Sequence, residues 1–222
     1  MRKILGLIIV FSVILFCGCT KKKEISQLEK ILQRDILIVG VKTDSKPFGF
    51  INSKTDENVG FDIDIAKIIA KDILGSERKI KFISVTPASR IEALTSGRVD
   101  IIIATMSVTP QRQYLIDFSE PYYIAGQSAI VRENSKIHNF SDLKNKTTIV
   151  ILGTTAEQNL RNILPMAKLN GYKNYKEAFE AFKSGQGDAI STDNTILSGF
   201  LIDNKGYRML KNKLSQEPYA IG

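Results

Sequence analysis

Apolar residues recur along this chain with two periods, and the alternation between the periods predicts its architecture. Residues 24–35 put Ile25, Leu28, Ile31 and Leu32 on one helical face. The next run, Ile36-Leu37-Ile38-Val39-Gly40-Val41, is apolar throughout and rich in β-branched residues, as in a strand buried on both faces. Residues 42–58 hold Pro47, Gly49 and several turn formers and read as a loop. Phe61, Ile65, Ile68, Ile69 and Ile73 then return at helical spacing, with Gly75 as the stop. A strand over 80–85, a short helix over 89–96 ended by Gly97 and a strand over 99–104 follow. Strand, helix, strand, helix, strand predicts a parallel sheet covered by helices. The alternation continues with a strand at 147–152, helices at 155–164 and 176–183, a strand at 188–191 and a helix at 194–203.

One stretch repeats. Glu92-Ala93-Leu94-Thr95-Ser96-Gly97-Arg98-Val99-Asp100-Ile101 matches Glu180-Ala181-Phe182-Lys183-Ser184-Gly185-Gln186-Gly187-Asp188-Ala189 at Glu, Ala, Ser, Gly and Asp. Each half closes a helix with Ser-Gly and opens a strand at Asp, and each strand ends in hydroxylated residues, Thr105 or Ser191-Thr192. This predicts two α/β lobes of similar build. Ligands of open parallel sheets sit outside the carboxyl ends of the strands, so two facing lobes would enclose a cleft lined by those loops.

The first residues follow a different logic. Arg2 and Lys3 precede an apolar run over 4–16, interrupted at Gly6 and Ser12 and followed by Cys17-Gly18-Cys19. A membrane span needs about 20 apolar residues, so this shorter run ending in small residues reads as a cleaved export signal, with an uncleaved anchor as the alternative. Phe16-Cys17-Gly18-Cys19 resembles the lipobox of bacterial lipoproteins. That resemblance implies a signal peptide over 1–18, lipidation of Cys19, and a lipid tether with a leading helix over 19–35. Cleavage before Cys19 leaves no cysteine pair, hence no intrachain disulfide and no cysteine-rich metal site.

Composition narrows the classes further. The 222 residues are 43% hydrophobic and 24% charged, which excludes a disordered chain and a multi-span membrane protein. The net charge of +8 is spread among interspersed lysines and acids, so no basic patch for nucleic acid appears. His138 is the one histidine, and neither a cofactor nor a metal is implied.

Three turns carry candidate chemistry. Ala104-Thr105-Met106-Ser107-Val108-Thr109-Pro110-Gln111-Arg112 leaves a buried strand and opens a helix, with Thr109 suited to the N-cap and Pro110 to the first helical position. Arg112 then sits in the first turn, where a cation opposes the helix dipole. A ligand carboxylate near the Ser107 N–H and the guanidinium would satisfy both groups; a surface pair with Asp117 is the other reading. Gly153-Thr154-Thr155 occupies the matching turn of the second half, as an anion cradle or a plain N-cap. Asp193 is either a carboxylate for an ammonium group or the N-cap of the helix over 194–203.

Taken together, Gly60-Phe61-Asp62-Ile63-Asp64-Ile65-Ala66, Val99-Asp100-Ile101, Thr109-Pro110-Gln111-Arg112, Asp117-Phe118-Ser119-Glu120-Pro121-Tyr122 and Gly153-Thr154-Thr155 carry a family likeness. From about residue 36 to 222 the chain resembles the polar amino-acid substrate-binding proteins of ABC importers (family 3 solute-binding proteins). The resemblance implies an α/β, two-lobe, periplasmic-binding-protein-like (type II) fold. Each lobe would be a mainly parallel sheet flanked by helices, with the ligand in the cleft. Lobe 1 would cover 36–123 and lobe 2 124–218, joined by crossovers near 123–127 and 216–219. By the same resemblance Arg112 grips the α-carboxylate with the Ser107 and Thr155 amides, while Asp193 and the Thr105 region take the α-ammonium. Lys42 and Arg90 would meet the ligand side chain, and two cations there favour glutamate or aspartate, with glutamine or cystine/cysteine as alternatives. Lys42 also has a plainer reading, as a solvated loop lysine.

The resemblance further implies a monomer that works outside the cytoplasm, on the outer face of the membrane or in the periplasm. Its partners would be a free amino acid and the permease, and it would catalyse nothing. A dehydratase-like enzyme or a sensory ligand-binding domain on the same fold are the competing classes. Family members usually continue beyond the 219–222 strand with helices that finish the second crossover, so a C-terminal part is expected to be missing here.

Overall fold

The computed structural model describes residues 25–222. The export signal, the lipidation of Cys19 and most of the tether lie outside the described residues. The leading helix, α1 (Gln27–Arg34), starts at a capping box in which the Ser26 hydroxyl accepts the Glu29 N–H and the Glu29 carboxylate accepts the Ser26 N–H. Its expected apolar face is mostly unburied: Ile31 enters the core, while Ile25, Leu28 and Leu32 stay about half exposed. Polar contacts fasten α1 instead, since Gln27 and Arg34 both donate to Asp100.

The first lobe is built on β1 (Leu37–Val41). The expected loop after it contains three short strands, β2 (Asp44–Ser45), β3 (Gly49–Ile51) and β4 (Asn58–Val59), paired antiparallel. They are too short for an apolar period to show. Next come α2 (Phe61–Leu74), closed by Gly75 at φ +77°, β5 (Ile80–Ser84), α3 (Arg90–Thr95), β6 (Ile101–Ile103) and the one-turn α4 (Pro110–Gln113). β1 lies between β5 and β6, all parallel.

Helix α2 packs Ile65, Ile69 and Ile73 against the core as their spacing predicts, but its most buried residues lie beside them. Ile63, Ala66, Ala70 and Asp62 are buried, whereas Phe61 and Ile68 are exposed. Asp64, Lys71 and Asp72 stay exposed, and Ala66 and Ala70 allow close approach to the sheet.

β7 (Tyr123–Ala125) follows and, after Gly126, β8 (Gln127–Arg132). A 3-10 turn (Phe140–Leu143) leads into β9 (Thr147–Ile151), α5 (Thr155–Ile163), β10 (Lys168–Tyr172) and α6 (Tyr175–Lys183). The chain then forms β11 (Ala189–Asp193), α7 (Asn194–Asp203), β12 (Tyr207–Met209) and β13 (Glu217–Tyr219). The second sheet has the order β10-β9-β11-β8-β12. It is parallel across β10, β9 and β11, but β8 runs antiparallel to both β11 and β12. Sequence periodicity did not predict β8, β10 or β12: β8 opens on Gln-Ser, and β10 and β12 are edge strands of mixed polarity. Ile130, Ile149 and Ile151 pack with Phe179 and Phe182 on one face of this sheet, and Ala129, Val131 and Val150 with Leu160 on the other.

The repeated motif has a structural cause. The Asp100 N–H donates to the Ile38 carbonyl and its carboxylate accepts the Ile38 N–H. Asp188 does the same with both backbone groups of Thr147. Each aspartate therefore clamps the start of its strand to the neighbouring parallel strand.

β7 and β13 pair antiparallel, and Phe48, Tyr122, Tyr123 and Tyr219 pack their rings around them. The lobes also touch directly. The Asp44 carboxylate accepts the Tyr175 N–H at 2.8 Å, Arg112 Nη2 donates to the Gly153 carbonyl at 3.2 Å, and Lys46 pairs with Asp203 at 3.0 Å. Among the described residues no helix is long and apolar enough to cross a membrane.

Candidate functional site

The turn after β6 supplies the first group of site residues. Thr109 caps α4 as its hydroxyl accepts the Arg112 N–H, and Pro110 fills the first helical position. The Arg112 side chain, 8% exposed, folds back so that Nη1 donates to the Ser107 carbonyl at 2.6 Å while Nη2 reaches Gly153 in the other lobe. Among the described residues it makes no ion pair, with Asp117 or any other carboxylate. Burial, reinforced by the nearby Arg90 charge, lowers its pKa to about 9, while Glu217 and Asp193 oppose the shift. A guanidinium held in this way favours an arriving anion.

Ser107 bridges to Tyr219 of β13 through its flanking residues, whose backbone groups bond to Pro218 and Ala220. Among the described residues no protein acceptor takes the Ser107 N–H. In the second lobe Thr154, not Thr155, caps α5 by accepting the Glu157 N–H. This leaves the Thr155 N–H without an acceptor among the described residues, and its hydroxyl donates to Glu217 at 2.7 Å.

Asp193 ends β11, 5% exposed. Its carboxylate makes no cap bond to α7, so it is not that helix's N-cap by hydrogen bonding. One oxygen accepts the Tyr219 hydroxyl proton and the other has no partner. Burial raises its pKa to about 7; Glu217 pushes the same way, and the Tyr219 bond, Arg90 and Arg112 pull it down. Thr105 sits in the left-handed region at φ +47°, with its N–H given to Asp62 at 3.0 Å and its buried hydroxyl unpaired. The structure thus holds a buried guanidinium, two unclaimed amides, an unpaired hydroxyl and an unpaired carboxylate oxygen, at strand ends facing across the lobes. That set matches the two ends of a zwitterion.

The two side-chain cations are placed differently from expectation. Lys42 is not solvated: it is 2% exposed, pairs with Asp44 at 2.8 Å, and lies 5.0 Å from the centre of the Tyr175 ring. Burial lowers its pKa and Asp44 counters that shift. Its charge is therefore already compensated. Arg90 opens α3 as expected and is buried, but Nη1 is spent on the Ala104 and Thr105 carbonyls at 2.7 and 3.3 Å, leaving Nε unpaired. A cavity of about 620 Å³ opens beside the Lys42–Asp44 pair, lined also by Val85, Thr86, Phe179 and Phe200. Arg90, Arg112 and Asp193 do not line it.

Sequence reasoning missed four residues here. Asp62 is buried with a pKa raised to about 6, and accepts both the Thr105 N–H and the Tyr122 hydroxyl. Asp62 stands inside the Gly60–Ala66 motif, and that motif was its signal, since α2 carries four other charged residues. Asp44, Tyr175 and Glu217 carry no comparable signal, because only tertiary packing brings them to the cleft.

The family model of the bacterial extracellular solute-binding proteins, family 3, matches residues 37–216, and the chain belongs to that family. It is 44% identical over 233 residues to the ABC transporter glutamine-binding protein GlnH of Bacillus subtilis (strain 168), covering 100% of this chain and 85% of that one. A glutamine-binding protein of Geobacillus stearothermophilus is 42% identical over 235 residues, covering 98% and 90%. The crystal structure of a cysteine-binding protein from Campylobacter jejuni matches with a TM-score of 0.82 at 38% identity, covering 87% of this chain and 78% of that one. The architecture is the two-lobe type II fold of periplasmic binding proteins.

Proposed function

We propose that this protein captures a free amino acid outside the cytoplasm and delivers it to an ABC permease, and that the amino acid is glutamine. The observation that carries the reading is an opposed pair of buried groups: the Arg112 guanidinium, bonded only to backbone carbonyls, for an α-carboxylate and the free Asp193 oxygen for an α-ammonium. The Ser107 and Thr155 amides would assist the carboxylate, and the Thr105 hydroxyl the ammonium. β7 and β13 would act as the hinge, with ligand contacts to both lobes favouring the closed state. A monomer anchored through Cys19 fits this role.

The choice of side chain turns on charge. Glutamate or aspartate needs an uncompensated cation at the side-chain end; Asp44 already neutralises Lys42, and Arg90 turns Nη1 to the Ala104 and Thr105 carbonyls. A neutral amide can use a lysine–aspartate pair as donor and acceptor together. The two glutamine-binding relatives support the same choice. Calorimetric titration with glutamine, glutamate, aspartate, cysteine and arginine tests it. Glutamine binding at least tenfold tighter than glutamate is the expected result. Preferred binding of glutamate would overturn the side-chain assignment, and binding of no amino acid would overturn the function.

A further inference from the structure

Resting on the amino-acid-binding reading above, we infer that Asp44 is the specificity-determining residue of the side-chain pocket and ties that choice to lobe closure. Its two carboxylate oxygens face different lobes. Oδ1 pairs with Lys42 Nζ at 2.8 Å within the first lobe. Oδ2 accepts the Tyr175 N–H at 2.8 Å from the first residue of α6 in the second. Tyr175 in turn stacks its ring under the Lys42 ammonium at 5.0 Å, and its hydroxyl accepts a bond from Thr192 at 3.4 Å, next to Asp193. One carboxylate thus sets the charge of the pocket and holds the helix that brings Tyr175 to it.

Local geometry keeps Asp44 in this position. It lies in β2, paired with β3 so that Asp44 faces Phe50, and Gly49 of β3 passes against the Lys42 carbonyl where a Cβ would stand 2.6 Å away. The other acceptor on Lys42 Nζ is the Val85 carbonyl at 3.4 Å, so Asp44 is the only carboxylate in an ion pair with it among the described residues. With Asp44 ionised Lys42 is neutralised and has no free charge to offer a second ligand carboxylate. Without that charge, Lys42 becomes a buried, unpaired cation that a γ-carboxylate can neutralise.

The test compares the ratio of glutamine to glutamate affinity in the wild-type protein and two variants by calorimetry. Asp44→Asn keeps an acceptor for the Tyr175 N–H and removes the charge, so the ratio should move at least tenfold toward glutamate. Lys42→Gln leaves Asp44 unpaired and should move it the other way, away from glutamate. The opposite signs distinguish a charge effect from general damage to the pocket, which would weaken both ligands alike. A ratio unchanged in Asp44→Asn, or the same sign in both variants, overturns the inference. If Asp44→Asn does not fold, an unchanged or glutamate-directed ratio in Lys42→Gln overturns it alone. A wild-type protein that binds neither ligand sinks the functional reading instead.

Discussion

Replacing Asp193 with asparagine should change the pH dependence of stability and of binding in opposite directions. Burial raises the Asp193 pKa from 3.8 to about 7, so the folded protein holds a proton there that the unfolded chain has already released. Between those values the native state binds more protons than the unfolded state, and stability must fall as pH rises. A shift of this size corresponds to about 4 kcal/mol of destabilisation when the window is fully crossed, at ~1.36 kcal/mol per pH unit. Ligand binding has the other sign. An α-ammonium needs the ionised carboxylate, so affinity should rise with pH and level off above about 7, approaching ~10-fold per unit well below it. The assay is a set of melting curves from pH 5 to 8, with and without saturating glutamine, supported by calorimetry.

The wild type should melt lower without ligand as pH rises, and the glutamine-induced shift should grow. Asp193→Asn should flatten both trends above pH 6, leaving below it the contribution of Asp62, whose raised pKa of about 6 has the same sign. The variant should also bind about 10- to 100-fold more weakly, for one charge-assisted bond of ~1.5–3 kcal/mol. A variant with wild-type affinity and an unchanged pH slope would refute the placement of Asp193 in the site.

Other expectations follow from the same geometry. Arg112→Ala should abolish amino-acid binding in calorimetry while the melting temperature without ligand stays the same or rises, because a buried cation with no ion pair is removed. Gly153→Ala should weaken ligand binding and slow closure seen by small-angle scattering or tryptophan-free fluorescence labels. Its φ is +80° and its Cβ would stand 2.8 Å from Ala88 of the other lobe. Asp188→Ala should lower unfolding stability by about 1–3 kcal/mol, since the Thr147 N–H loses its acceptor at the start of β9; chemical denaturation measures it. Asp203→Asn, by contrast, should cost less than about 1 kcal/mol, as its cross-lobe pair with Lys46 is exposed.

Much of the fold was legible because burial leaves a local trace. β1, β5, α3, β9, α5 and α7 announced themselves through apolar runs, helical spacing and Gly stops, and the Asp100 and Asp188 repeat marked two equivalent strand starts. The Thr109-Pro110 cap of α4 could be read residue by residue, since a cap depends only on neighbours three positions away. Edge strands β10 and β12 were not legible, because half-exposed strands tolerate polar residues on both faces.

The sequence alone determined the alternation of strands and helices, the doubled lobe, and the placement of Arg112 in the helix after β6 and of Asp193 at a strand end. Only tertiary structure decided how their charges are compensated. Lys42 looked like a free cation until β2 brought Asp44 onto its ammonium and α6 laid Tyr175 beneath it, with Tyr175 131 residues from Asp44 in the chain. Asp193 looked like a helix cap until β13 delivered the Tyr219 hydroxyl to it. Charge in a buried site is a sum over residues distant in sequence, so local pattern reveals each ionisable group but not its partner.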